Sequence, residues 1–155
     1  TALVAPRDRL AYYDQQEVTL PVPLTAPEVW NKMKSRTLPG LRLAFRLRDA
    51  IAARFGVARI GGFSGRQVAK VAVGDRLDFF LVEGVSDTQL VLTARDRHLD
   101  VMISTACDGP RVCVTASVVT HNAFGRAYML PVAPAHRWIV RAMLRRLRRD
   151  LTPRT

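Results

Sequence analysis

The sequence predicts an α+β domain in which a curved antiparallel β-sheet wraps around a long C-terminal α-helix. Two observations carry this expectation. Between residues 77 and 122 apolar residues recur with a period of two, in four runs separated by turns too short for crossover connections. Over residues 134–151 the period becomes helical, with His136, Ile139, Val140, Met143, Leu144, Leu147 and Leu151 on one arc and arginines on the rest. An apolar sheet face and an apolar helix face leave water together only by packing on each other.

Each element follows in order. Residues 11–20 form a first strand, closed by Pro21 and Pro23. Thr25 and Glu28 make a capping box that opens a short helix burying Val29, Trp30 and Met33, and Leu38-Pro39-Gly40 ends it. A second short helix spans about residues 42–55, with Gly56 at its C-terminal cap position. Residues 57–74 read as loop, since the GGFSG stretch around Ser64 matches neither a nucleophile-elbow nor a dinucleotide-binding spacing. The four runs of the meander occupy residues 77–83, 88–95, 98–106 and 112–122, and Pro134 is expected to start the final helix. No repeat, low-complexity tract or linker interrupts residues 1–155, which read as one domain.

Alternation and turn length together specify a register. They pair Glu83 with Thr88, Arg95 with His98, and Cys107 with Val112. One face then carries Phe79, Leu81, Leu90, Leu92, Leu99, Val101, Ile103, Val114, Ala116 and Val118, which makes it the core face. The other carries Thr93, Arg95, His98, Asp100, Ser104, Thr115, Ser117 and His121, with Phe80 and Val82 among them. Cys107 and Cys113 fall on opposite faces, so no bridge between them is expected.

Arg95, His98, Asp100 and His121 are the candidate catalytic residues. Facing histidines beside a carboxylate and a guanidinium suit proton transfer, or the binding of an enolate. The same group also reads as an ordinary solvated sheet face. His136, within the apolar arc of the last helix, and Tyr128 just before it are the candidate polar handles of a binding site; a satisfied core histidine is the competing reading of His136. Three histidines on separate elements have no metal-binding spacing, and no metal or cofactor is expected.

The net charge is +11, and all but three of the 24 basic residues are arginine. Codon composition suffices to explain the arginine bias, whereas its concentration on the last helix, with Trp138 among the arginines, raises an anionic partner. No nucleic-acid motif or aromatic stacking platform accompanies it, so nucleic acid is not expected, while a membrane surface and a homodimer stay open. The chain opens without a charged and apolar leader pattern and contains no apolar run near the ~18 residues of a membrane span, which leads to the expectation of a soluble, cytoplasmic protein.

Two stretches resemble a known family in their wording: RDRHLDVMIS at 95–104 and HNAFGRAYMLPVAPAHRWIVRAML at 121–144. With the YYDQ text near residue 12 and the arginine-rich stretch of the second helix, the resemblance to a family of bacterial domains of unknown function runs over almost the whole chain. The element order is similar to the START-like (SRPBCC) helix-grip superfamily. That resemblance implies a cavity between sheet and C-terminal helix for an apolar small molecule. Trp30, Tyr128, His136 and Met143 would then be ligand-binding residues. Members of the superfamily either carry ligands or, without a cofactor, cyclise or dehydrate polyketide-like substrates, and an enzyme of cyclase, isomerase or lyase type is the leading expectation for this chain. A non-catalytic carrier or a basic interaction module is the alternative.

Overall fold

The fold was analysed in a computed structural model that describes residues 2–34, 46–47, 49–50, 72–77 and 80–154. The expected second helix and the loop at 57–74 lie almost wholly outside these residues, as does Phe79.

Six strands form one curved antiparallel sheet: β1 (Tyr12–Thr19), β2 (Arg76–Leu77), β3 (Phe80–Val85), β4 (Gln89–Arg95), β5 (Leu99–Asp108) and β6 (Arg111–Thr120). Their spatial order is β1-β6-β5-β4-β3-β2, so four strands form a meander and β1 closes against its last member. Helix α1 (Ala26–Lys34) opens with the capping box: the Thr25 N–H donates to Glu28 Oε2 at 2.8 Å, and the Glu28 N–H donates to Thr25 Oγ1 at 3.3 Å. The Ala26 N–H donates to the Asp87 carbonyl at 2.8 Å, tying α1 to the β3–β4 turn.

The C-terminal helix runs from Ala123 to Leu151, eleven residues earlier than Pro134 would place it. Proline reads as a helix start because it has no N–H to donate and its ring crowds the preceding turn. Here Pro131 and Pro134 both sit inside the helix and on its solvent side. The true start is Asn122, whose Oδ1 accepts from the Gly125 N–H at 2.8 Å.

Packing is helix on sheet, as the matched apolar faces require. Val140, Leu144 and Leu147 join Tyr12, Leu90, Leu92, Ile103, Val112, Val114, Ala116 and Val118 in one buried cluster. The β5–β6 register is the expected one, with Cys107 opposite Val112 and Gly109 taking a positive φ (55°) at the first central position of the turn. Both cysteines are free; Cys107 faces the core, and burial, reinforced by the Glu28 charge, pushes its thiol pKa up, away from nucleophile behaviour.

Two registers differ from expectation. On β4–β5, Arg95 pairs with Asp100 instead of His98. Asp96-Arg97 lacks the glycine or asparagine that a two-residue primed turn needs. Asp96 instead caps a longer loop, its Oδ1 accepting from the N–H groups of His98 (2.7 Å) and Leu99 (3.0 Å). A shift of two residues preserves the faces. On β3–β4 the ladder slips between Val82 and Gly84, so Glu83 bulges, and Phe80 and Val82 turn to the core in place of Leu81. One extra residue inverts a strand's facing, and alternation cannot reveal it because Phe80, Leu81 and Val82 are all apolar.

Candidate functional site

The sheet carries a polar cluster on each face. On the face turned away from the C-terminal helix, Asp100 stands between two cations: its Oδ2 accepts from Arg95 Nη1 at 3.2 Å and its Oδ1 lies 3.2 Å from His121 Nε2. Arg95 Nη2 reaches Glu83 Oε1 at 3.3 Å, and Thr93 Oγ1 donates to the same oxygen at 2.8 Å. The bulge makes this possible, because it turns Glu83 towards Thr93 and Arg95. His121 and Arg95 are 40% and 48% exposed, so the cluster is open to solutes. Arg95, Asp100 and His121 therefore come together.

His98 lies apart from this network. The His121 N–H donates to its carbonyl at 2.8 Å, yet the two rings diverge. The His98 imidazole is buried 4.6 Å from the Phe124 ring, in the first turn of the C-terminal helix. Its Nδ1 is 2.9 Å from Asn122 Nδ2, and Asn122 Oδ1 is already committed to the Gly125 N–H. The Arg97 Nε–H donates to the Nε2 of the same ring at 3.3 Å. His98 clamps the β4–β5 turn to the helix start.

The second cluster lies on the helix side, where β1 meets the C-terminal helix. Tyr12, Asp14 and Gln16 alternate towards the helix, opposite the core positions Val118, Ala116 and Val114. The Tyr12 hydroxyl lies 3.4 Å from the Ala133 carbonyl and 3.5 Å from His136 Nδ1, with the two rings edge to face at 5.9 Å. Gln16 Nε2 donates to Asp14 Oδ2 (2.8 Å) and to the Arg137 carbonyl (3.0 Å), while Arg137 Nε is 3.6 Å from Asp14 Oδ1. Burial pushes the Tyr12 phenol up to about 12, helped by the Asp14 charge and opposed by Arg137. Burial also holds the His136 imidazole below its usual value; Asp14 raises it and Arg137 lowers it by smaller amounts. At neutral pH the pair is a neutral imidazole beside a neutral phenol.

Because the folded pKa of His136 lies below the unfolded value of about 6.5, the neutral ring stabilises the fold fully above that pH. The contribution is lost as pH falls below about 6.5, through the folded pKa. Urea denaturation of wild type and His136→Gln from about pH 8 to 5 is expected to show a shallower acid decline in the variant. Superimposable declines would refute a partly buried, neutral His136.

Trp30 is buried edge to face with Phe80 at 5.8 Å, and Tyr128 stacks on Phe124 at 6.4 Å. Met143 lies apart from both. It packs with Met33, Ile139 and Ala142, and with Lys32, Arg146, Leu147 and Asp150 it encloses about 10 Å³ between α1 and the C-terminal helix, room for about one water. Among the described residues no three histidine, cysteine, aspartate or glutamate side chains converge as a metal site would. Nor is any described helix long and apolar enough to cross a membrane.

Sequence reasoning missed Tyr12, Asp14, Gln16 and Glu83. Alternation along β1 is uninformative because Tyr13, Gln15 and Glu17 are as polar as their neighbours. Glu83 joins its cluster only through the bulge.

An antiparallel sheet gripping one long helix, with a polar cluster on either face, defines an α+β protein of helix-grip architecture. The chain belongs to the DUF2867 family of proteins of unknown function, whose model matches residues 7–143. It is similar to a solved structure, the hypothetical protein jhp0584 from Helicobacter pylori, at 16% identity over 98% of this chain and 97% of that one, with a TM-score of 0.44. No curated protein matches it.

Proposed function

We propose that this chain is a START-like (SRPBCC) domain that binds a largely apolar small molecule between sheet and C-terminal helix. There it catalyses cofactor-independent proton transfer of the isomerisation, cyclisation or elimination type on a polyketide-like substrate. The observation that carries the reading is the Tyr12–His136 pair in the helix–sheet junction. If the Tyr12 hydroxyl donates to the Ala133 carbonyl, it accepts from His136 Nδ1–H, which leaves the Nε2 lone pair free as a base. A proton α to a substrate carbonyl passes to Nε2 and returns at another carbon, completing an isomerisation; loss of a leaving group or internal attack by the enolate gives the elimination or cyclisation. The ligand enters by parting α1 from the C-terminal helix, where the unbranched Met33 and Met143 side chains can re-pack around it.

A second reading rests on the His121–Asp100–Arg95 cluster: a base oriented by a carboxylate at the exposed end of the sheet face turned away from the helix. It cannot act on a ligand held on the helix side, since the sheet lies between.

Native mass spectrometry of the purified protein is expected to reveal a bound apolar molecule that is released on denaturation. His136→Gln should then retain binding and lose turnover, by a factor on the order of 10²–10⁴ for a general base. Loss with His121→Ala instead would move the chemistry to the His121–Asp100–Arg95 cluster. Binding without turnover in wild type leaves a carrier, and the absence of both ligand and apolar-dye binding overturns the reading.

A further inference from the structure

The solvent-facing side of the C-terminal helix is divided along its length. Over residues 123–138 the exposed residues are Ala123, Ala127, Leu130, Pro131, Pro134, Ala135 and Trp138, interrupted only by Arg126 and Arg137. Leu130 is 77% exposed and Trp138 62%, unusually open for large hydrophobic side chains. Leu130, Pro134 and Trp138 follow one another at i, i+4 and i+8 and so form a single stripe. In the last turns the same side carries exposed Arg141, Arg145, Arg148 and Arg149. No carboxylate occurs anywhere between Ala123 and Arg149.

From this we infer that the outer face of the C-terminal helix docks on an anionic lipid surface, with Leu130 and Trp138 entering the headgroup–acyl boundary and the arginine row meeting lipid phosphates. Leucine and tryptophan on one exposed stripe beside guanidiniums are the residue types that hold a helix in the plane of a bilayer interface. Charge complementarity selects the occupant. A second copy packed antiparallel would lay four guanidiniums on the apolar stretch of its partner with no carboxylate to meet them, and a parallel copy would oppose arginine to arginine. Two prolines also leave the Ala127 and Leu130 carbonyls without an i+4 N–H donor, which suits a hydrated headgroup layer better than a dry protein interface. This docking is independent of the small-molecule site, whose residues lie on the opposite side of the same helix.

The test is partition of the intact protein onto vesicles of phosphatidylglycerol and phosphatidylcholine in equal parts, against phosphatidylcholine alone. Wild type is expected to co-sediment with the anionic vesicles at about 0.02 M salt and largely to release at about 0.5 M. The emission of Trp138, isolated by difference from Trp138→Phe, should shift to the blue. The triple variant Arg141→Gln, Arg145→Gln, Arg148→Gln should lose on the order of 100-fold in partition. Leu130→Ser with Trp138→Ser should lose at least about 10-fold. All substitutions are at exposed positions, and unchanged thermal midpoints verify folding, since exposed charges of this kind contribute little to stability. Absence of partition onto anionic vesicles overturns the inference, as does equal partition onto pure phosphatidylcholine. So do two further outcomes: a lipid-free dimer abolished by the Leu130/Trp138 variant, which would identify a second copy as the occupant, and duplex DNA binding without vesicle binding, which would identify nucleic acid.

Discussion

Replacing Gly125 with alanine is expected to lower stability by about 2–3 kcal/mol, although alanine is the better helix former by about 1 kcal/mol. Gly125 sits in the first turn of the C-terminal helix, directly against the backbone of His98. A Cβ there would overlap the His98 carbonyl oxygen and lie 3.2 Å from its carbonyl carbon. That oxygen cannot swing aside freely, because it accepts from the His121 N–H at 2.8 Å. The helix start must therefore lift from the β4–β5 turn, which also strains the Asn122 bridge between His98 and the Gly125 N–H. Urea denaturation decides the sign. A lower midpoint at unchanged m-value supports the close approach, whereas a gain of about 1 kcal/mol would mean that propensity alone governs the position.

Leu147→Asp is expected to abolish cooperative folding. Leu147 is 4% exposed within the cluster that joins the C-terminal helix to the sheet. Losing its apolar burial costs about 2–3 kcal/mol, and an unpaired buried carboxylate adds several more. The sum approaches the whole stability of a domain this size, about 5–15 kcal/mol. Leu130→Asp on the same helix is the control. At 77% exposure it should shift stability by no more than about 0.5 kcal/mol. Near-wild-type cooperative melting of Leu147→Asp would refute the helix-on-sheet packing; collapse of both variants would place Leu130 in a core.

The contrast between these two leucines shows how far the sequence could be read. Leu147 lies in an arc with Val140 and Leu144, and that periodicity is enough to predict its burial. Leu130 precedes Pro131 and Pro134, so no helical arc could be drawn through it until the Asn122 cap was seen to start the helix early. The candidate site divides in the same way. Asp100 and His121 share a face by alternation alone, and an error of two residues in the β4–β5 pairing leaves that relation intact. The partnership of Arg95 with Asp100, by contrast, depends on the Asp96-capped loop.

By itself the amino-acid order determined the α+β class, the meander, the β5–β6 register, the facing of three strands and the apolar arc of the final helix. All of these arise from local periodicity and short turns, in which each residue's role is set by neighbours a few positions away. Only the tertiary structure decided the β3 bulge that delivers Glu83 to Arg95, the diversion of His98 onto Phe124, and the meeting of Tyr12 with His136 across 124 residues of chain. These depend on which groups remain to satisfy a buried polar atom once the helix has docked. That choice is made in space, between residues far apart in sequence, and no periodicity records it.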